Sequence, residues 1–259
     1  MRVSRTLIGM VHLAPLPGSS RWGGSMERVA EHALADARAL VEGGIDALLV
    51  ENLGDAPFAP GRAEASTVAA LSVVAAALHA AYPAIPLGIS VLRNDARSAL
   101  AVACATGATF IRVNVHAGAV VADQGLLQGD AYGTLRERRL LGAEVALFAD
   151  VRTKHAAPLA AVDLEHEARD LVDRGLADAL IVTGQSSGEA AVLSDVKRVR
   201  DARPDTPLLV GSGVTAESVA ELLSVADGVI VGTWIKRDGR IGNPVDPSRV
   251  HRLVDAARR

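Results

Sequence analysis

The sequence predicts an α/β protein, a single (β/α)8 TIM barrel occupying residues 1–259, and three observations carry that prediction. Short apolar runs alternate with helical patterns along the whole chain, about eight times, with no Pro/Ser linker or charge block between them. The length of 259 residues suits one such barrel and is long for a compact two-layer domain. The glycine-rich strand ends come late, whereas a doubly wound open sheet places its phosphate turn after the first strand. Here the first turn reads His12-Leu13-Ala14-Pro15-Leu16-Pro17-Gly18, and its two prolines offer no amide donors.

The predicted strands are Thr6–Val11, Ala47–Val50, Pro86–Ser90, Phe110–Val113, Glu144–Ala149, Ala179–Val182, Pro207–Val210 and Gly228–Val231. Several are unbroken Val/Ile/Leu runs, as befits strands covered on both faces. The first helix, Met26–Glu42, repeats apolar residues at spacings of three and four, with Ser25 as N-cap and Gly43-Gly44 as stop. Helices follow over Glu64–Ala80, Ala96–Thr106, Leu164–Arg174, Leu193–Arg200 and Pro247–Ala257, and Thr215 caps another through Val225. Between residues 115 and 142 the pattern lapses into a long βα loop with a short helix near Thr134–Leu141. Barrels use such excess length as a lid or a substrate wall. Leu180–Gly184, Leu208–Gly213 and Val229–Thr233 share one strand-turn design, which marks repeated barrel units.

Composition narrows the function. Apolar residues make up 49% and aromatics 3%, so the core is built from Ala, Val, Leu and Ile. A net charge of -3 supplies no basic stripe, and no nucleic-acid partner is expected. Ala65–Leu92 carries no Asp, Glu, Lys or Arg, but Pro83 and Pro86 interrupt it and no integral membrane segment is expected. No secretory signal precedes the first strand, and the one cysteine, Cys104, reads as a small buried residue of an Ala-rich helix. A cytoplasmic homo-oligomer is the expected setting.

In a barrel of this kind, chemistry gathers where strands end. The last three strand ends, Thr183-Gly184, Gly211-Ser212-Gly213 and Gly232-Thr233, form the predicted phosphate-binding site. Glycine lets backbone approach an anion, helix starts present free N–H groups, and Ser212 and Thr233 add hydroxyls. The Ser186-Ser187-Gly188 turn follows the first of these ends. The earlier strand ends carry ionisable groups. Glu51 and Asp150 are the acid/base candidates, because a carboxylate near a low-dielectric mouth can have its pKa raised. His12, His116 and Lys154 complete the catalytic candidates, Lys154 with the alternative of a Schiff base. Arg93 and Arg112 are placed to clamp an anionic substrate, and Asn52, Asn94 and Asn114 to orient sugar hydroxyls. Glu51–Arg93 and Asp150–Arg112 can equally be structural ion pairs across the barrel top. No cofactor is predicted; a divalent metal at His12, Glu51, Asp150 and His116 is an alternative that no spacing motif supports.

Several of these stretches resemble one family. Ile8-Gly-Met-Val-His-Leu-Ala-Pro-Leu-Pro-Gly18, Val50-Glu-Asn-Leu-Gly-Asp-Ala-Pro-Phe58, Val91-Leu-Arg-Asn-Asp95 and Phe110-Ile-Arg-Val-Asn-Val-His116 are similar to the BtpA/SgcQ family. So are Ala149-Asp-Val-Arg-Thr-Lys-His-Ala156, Val210-Gly-Ser-Gly-Val214, Ala122-Asp-Gln-Gly125 and Gly242-Asn-Pro-Val-Asp-Pro247. Leu53 and Thr153 depart from the pattern without touching an ionisable position. The resemblance implies a barrel of the ribulose-phosphate-binding type and carries no settled reaction or catalytic set. Its name comes from a cyanobacterial protein linked to photosystem I biogenesis, while other members sit in sugar-uptake gene settings.

The expected function is an enzyme acting on a phosphorylated sugar or nucleotide-like compound by acid/base chemistry, of isomerase, epimerase, lyase or glycosyl-transfer type. The phosphate would anchor the substrate while the opposite arc reacts with it. The alternatives are a non-catalytic assembly factor for a membrane complex, or a barrel that senses a phosphosugar.

Overall fold

The computed structural model describes residues 4–184, 186 and 188–259. Eight parallel strands close into a barrel, and alternation along each strand decides what faces its interior. Strands β1 (Thr6–His12), β2 (Ala47–Glu51), β3 (Leu87–Ser90) and β4 (Phe110–Val113) form one half. Two further strands, β5 (Ala119–Ala122) and β6 (Gly125–Gln128), leave the barrel after β4. The second half is β7 (Ala146–Asp150), β9 (Ala179–Val182), β10 (Leu208–Val210) and β11 (Gly228–Val231), with β8 (Ala156–Pro158) lying outside the barrel. β11 closes the ring on β1 with Thr6 opposite Gly228.

Helices α1 (Met26–Glu42), α2 (Ala65–Ala81), α3 (Ala96–Thr106), α4 (Ala131–Leu140), α5 (Leu164–Asp173), α6 (Leu193–Ala202), α7 (Val219–Leu222) and α8 (Pro247–Arg258) follow the strands. Their apolar stripes pack on the outward residues of the barrel in one large core. Ser25 caps α1 by accepting from the Arg28 N–H, as its sequence position predicts. The charge-free segment forms α2 and β3, and among the described residues no helix is long and apolar enough to cross a membrane.

A second, smaller cluster fills the barrel itself: Ile8, Met10, Ala47, Leu49, Phe110, Phe148, Ala179, Ile181, Leu209 and Ile230. Phe110 and Phe148 stack with ring centroids 4.8 Å apart. Gly88 makes room for them, since a Cβ there would lie 2.2 Å from the Phe110 ring. One further step of two residues along the same strands brings His12, Glu51, Ser90, Arg112, Asp150, Thr183, Gly211 and Gly232 to the mouth. The apolar layer below is therefore the floor of the site.

Three expectations are corrected. The long loop is not irregular: β5 and β6 form a hairpin, with Gly125 at a φ of +94° after the Asp123-Gln124 turn, and β8 pairs with β5 from another connection. The helix expected from Thr215 to Val225 is a turn followed by the four-residue α7. Thr215 Oγ1 does accept from the Glu217 and Ser218 N–H groups. Cys104 is exposed, because it falls on the outer side of α3.

Candidate functional site: the barrel mouth

A cavity of about 220 Å³ opens at the C-terminal ends of the barrel strands. One wall is made by Gly211, Ser212 and Gly213 after β10, by Gly232 and Thr233 after β11, and by Gly188. The other carries His12, Glu51, Arg112 and Lys154. Trp234 and Ile241 add apolar surface near Thr233, and Met10 and Ile230 form the floor.

The glycine wall works through backbone. Among the described residues, no acceptor takes the N–H of Gly213, Thr233 or Trp234. Gly213 has a φ of +64°, and its position is crowded: a Cβ would sit 2.1 Å from Ala190 Cα. Ser212 holds this turn rather than lining it with a free hydroxyl. Its Oγ accepts from the Gly184 N–H at 2.6 Å and donates to the Glu189 carbonyl at 2.9 Å. Thr183 Oγ1 donates to the Arg152 carbonyl. Thus Thr183 and Gly184 support the wall from behind, whereas Gly211 and Gly213, Gly232 and Thr233 reach the cavity. Because α7 is so short, a helix dipole adds little, and the anion-binding potential of this wall rests on amides. Of the predicted Ser186-Ser187-Gly188 turn, Ser187 lies outside the described residues.

The charged wall is held by its own pairing. Arg112 Nε and Nη2 donate to the two Asp150 oxygens at 2.9 and 3.0 Å, and Asn114 Nδ2 donates to Asp150 Oδ2 at 2.9 Å. Burial works against the Arg112 charge, but Asp150 outweighs it and the guanidinium pKa is raised. Asp150 is buried and does not line the cavity, whereas Arg112 does, and of the two carboxylates singled out from sequence only Glu51 reaches it. Glu51 accepts from Ser90 Oγ at 3.0 Å and has His12 Nε2 at 3.9 Å. That His12 contact is no ion pair: burial first, then the Lys236, Lys154 and Arg112 charges, lower the imidazole pKa to about 3. His12 is therefore a neutral ring beside Gly232, where a Cβ would meet it at 2.8 Å.

The remaining candidates act on loops. The anticipated Glu51–Arg93 pair does not form. Arg93 donates instead to Asn114 Oδ1 at 3.0 Å, Thr153 Oγ1 at 3.2 Å and the Lys154 carbonyl, pinning the turn after β7. Asn52 accepts from the Leu92 N–H and donates to Asp55, and Asn94 brackets Val115 through both its N–H and its carbonyl. His116 is not brought to the mouth; it is buried with Nε2 on the Gly175 carbonyl at 2.7 Å. The four-residue metal set is accordingly not assembled, and among the described residues no cluster of three or more His, Cys, Asp or Glu is arranged to hold a metal. Ser90, the direct partner of Glu51, was not picked out from sequence, although its place two residues beyond Gly88 on an inward-facing row signals it.

Fold and site together define a class: a (β/α)8 barrel with a cation-rich cavity facing a glycine-lined wall. Among solved structures, similar barrels include N-(5'-phosphoribosyl)anthranilate isomerase from Pyrococcus furiosus, with a TM-score of 0.57 and 16% identity over 98% of each chain. KGPDC from Streptococcus mutans matches at a TM-score of 0.59 and 11% identity, covering 99% of this chain and 98% of that one. More narrowly, the chain belongs to the BtpA family, which matches residues 3–259. It is 44% identical to the photosystem I biogenesis protein BtpA of Synechocystis over 96% of this chain and 87% of that protein. An uncharacterized protein of Thermococcus kodakarensis is 46% identical over 98% of this chain and 95% of its own length.

Proposed function

We propose that this BtpA-family barrel is an enzyme that binds a phosphorylated sugar, or a nucleotide-like compound containing one, and acts on it by proton transfer. The observation that supports this reading is the juxtaposition in one cavity of the Gly213 and Thr233 amides, which have no acceptor among the described residues, with Glu51, Arg112 and Lys154. The amides suit a non-reacting phosphate, whose binding energy would orient the rest of the substrate. Glu51, held by Ser90, is the acid/base, and Arg112 is the fixed charge facing a developing anion. Solved barrels of similar fold whose names specify a phosphoribosyl substrate are consistent with this assignment. Thermal-shift titration with inorganic phosphate and a panel of phosphosugars tests it. Stabilisation that disappears in Thr233→Asp is expected; failure of every phosphorylated compound to stabilise the native chain would sink the reading.

The name of the Synechocystis relative favours a second reading, a biogenesis factor that works through its exterior. Val121 and Leu126, 49% and 50% exposed and opposite each other on β5 and β6, are the surface such a role would use. Full complementation of a null strain by Glu51→Gln would favour this role over catalysis.

A further inference from the structure

The chain uses arginine almost everywhere a cation is needed. Of its 27 Lys and Arg residues, only Lys154, Lys197 and Lys236 are lysines. Lys197 is exposed on α6. Lys236 is 1% exposed and its amine is paired with Asp36, which also accepts from the Val245 N–H, so it ties α1 to the segment before α8. Lys154 differs from both. It is directed into the cavity, its Nζ donates to the Gly211 carbonyl at 3.2 Å, and no described carboxylate forms an ion pair with it. Asp150, the nearest candidate along the chain, is already engaged by Arg112 and Asn114. An arginine could supply charge at this place, but only a lysine can lose its proton and act as a nucleophile.

Resting on the phosphate reading above, we infer that Lys154 forms an imine with the carbonyl carbon of a phosphorylated aldehyde or ketone, such as an open-chain sugar phosphate. The Gly211 carbonyl places the amine at the edge of the glycine wall, so a phosphate held on the Gly213 and Thr233 amides leaves the carbonyl end facing Lys154. Arg93 fixes the backbone that carries it through the Thr153 hydroxyl and the Lys154 carbonyl. Burial and then the Arg112 charge lower the amine pKa to about 8, against the opposing pull of Asp150 and Glu51; Arg93 adds to the lowering. A large fraction is therefore unprotonated under mildly alkaline conditions. In the step, the nitrogen lone pair adds to the carbonyl carbon while the oxygen takes a proton. The carbinolamine hydroxyl then takes a proton by way of Glu51 and leaves as water while the C=N bond forms, giving an iminium. When an adjacent C–H or C–C bond breaks, its electron pair moves onto the iminium to give an enamine, and Glu51 takes the proton released. Protonation of the enamine carbon restores an iminium, which water hydrolyses to a carbonyl product and the free amine.

The test uses the full chain, pyridoxal 5'-phosphate as a phosphorylated aldehyde, pyridoxal as its phosphate-free counterpart, and borohydride to reduce any imine to a stable amine. Peptide mapping can assign each adduct, since only three lysines and the N-terminus compete. The expected result is a reduced adduct on Lys154, about tenfold more efficient with the phosphorylated aldehyde and suppressed by inorganic phosphate. Lys154→Arg, which keeps the charge, should lose that adduct alone while circular dichroism stays unchanged. Adducts confined to Lys197 and the N-terminus would overturn the inference. If inorganic phosphate still raises Tm in that case, the phosphate reading survives without the imine; if it does not, both fall.

Discussion

The two walls of the mouth are built on opposite principles. After β10 and β11 the chain exposes amides and relies on glycine, with side chains such as Ser212 turned back to brace the turn. At the ends of β1 to β4 and of β7 it presents ionisable side chains, and several are committed to polar partners: Asp150 to Arg112 and Asn114, Arg93 to Asn114 and Thr153. Buried charges cost more than their mutual attraction returns unless geometry and hydrogen bonding are nearly complete. The difference teaches that a dense cluster of charged residues need not be a dense cluster of reactive ones. Pairing removes Asp150 from the surface of the cavity and leaves Glu51 and Lys154 facing it.

The sharpest way to break the comparison is to unbalance the charged wall. Arg112→Met leaves Asp150 buried beside Asn114 alone and should cost about 3–5 kcal/mol in urea unfolding. The double change Arg112→Met with Asp150→Leu should recover much of that loss. Acid should act on the same wall next. The His12 pKa is lowered to about 3 in the fold from the ordinary 6.5 of a free imidazole, so the unfolded chain binds more protons between those values. Stability should therefore fall as pH drops through that window, by up to about 1.4 kcal/mol per pH unit, and His12→Gln should flatten this part of the curve. On the glycine wall, Ser212→Ala strands the Gly184 N–H and should cost about 1–3 kcal/mol. It should also weaken any phosphate-induced Tm shift without abolishing it, because the Gly213 and Thr233 amides remain. Least affected should be the outer sheet, where Leu126→Thr is expected to stay within about 0.5 kcal/mol in the same unfolding measurement.

Much of this arrangement is legible in the sequence because a barrel is periodic. Several of the eight parallel strands are continuous apolar runs, and the strand ends name His12, Glu51, Arg112, Asp150, Gly211 and Gly232 from the sequence alone. What escapes is whatever depends on partners distant in the chain. Asp150 reads as a reactive carboxylate until Arg112, 38 residues earlier, is seen to cover it. His116 reads as a mouth residue because it follows β4, yet its ring bonds to the Gly175 carbonyl 59 residues away. The turn at Thr215 is correctly capped, but a cap reports where a helix begins and says nothing of its length. Likewise the strand Ala156–Pro158 is too short to announce itself; it exists because Val121 and its neighbours offer an edge.

That borrowed strand has a consequence for how the molecule can be divided. The outer sheet takes β5 and β6 from the connection after β4, and β8 from the connection after β7. A cut in the loop between α4 and β7 separates two fragments of four barrel strands each, and it also parts β5 from β8. The separated halves carry complementary strand edges beyond those of the barrel itself. Co-expressed as a split pair, the two halves are expected to reassemble through both sets of edges, and a chimera that exchanges only one of the two loops breaks the pairing of β5 with β8.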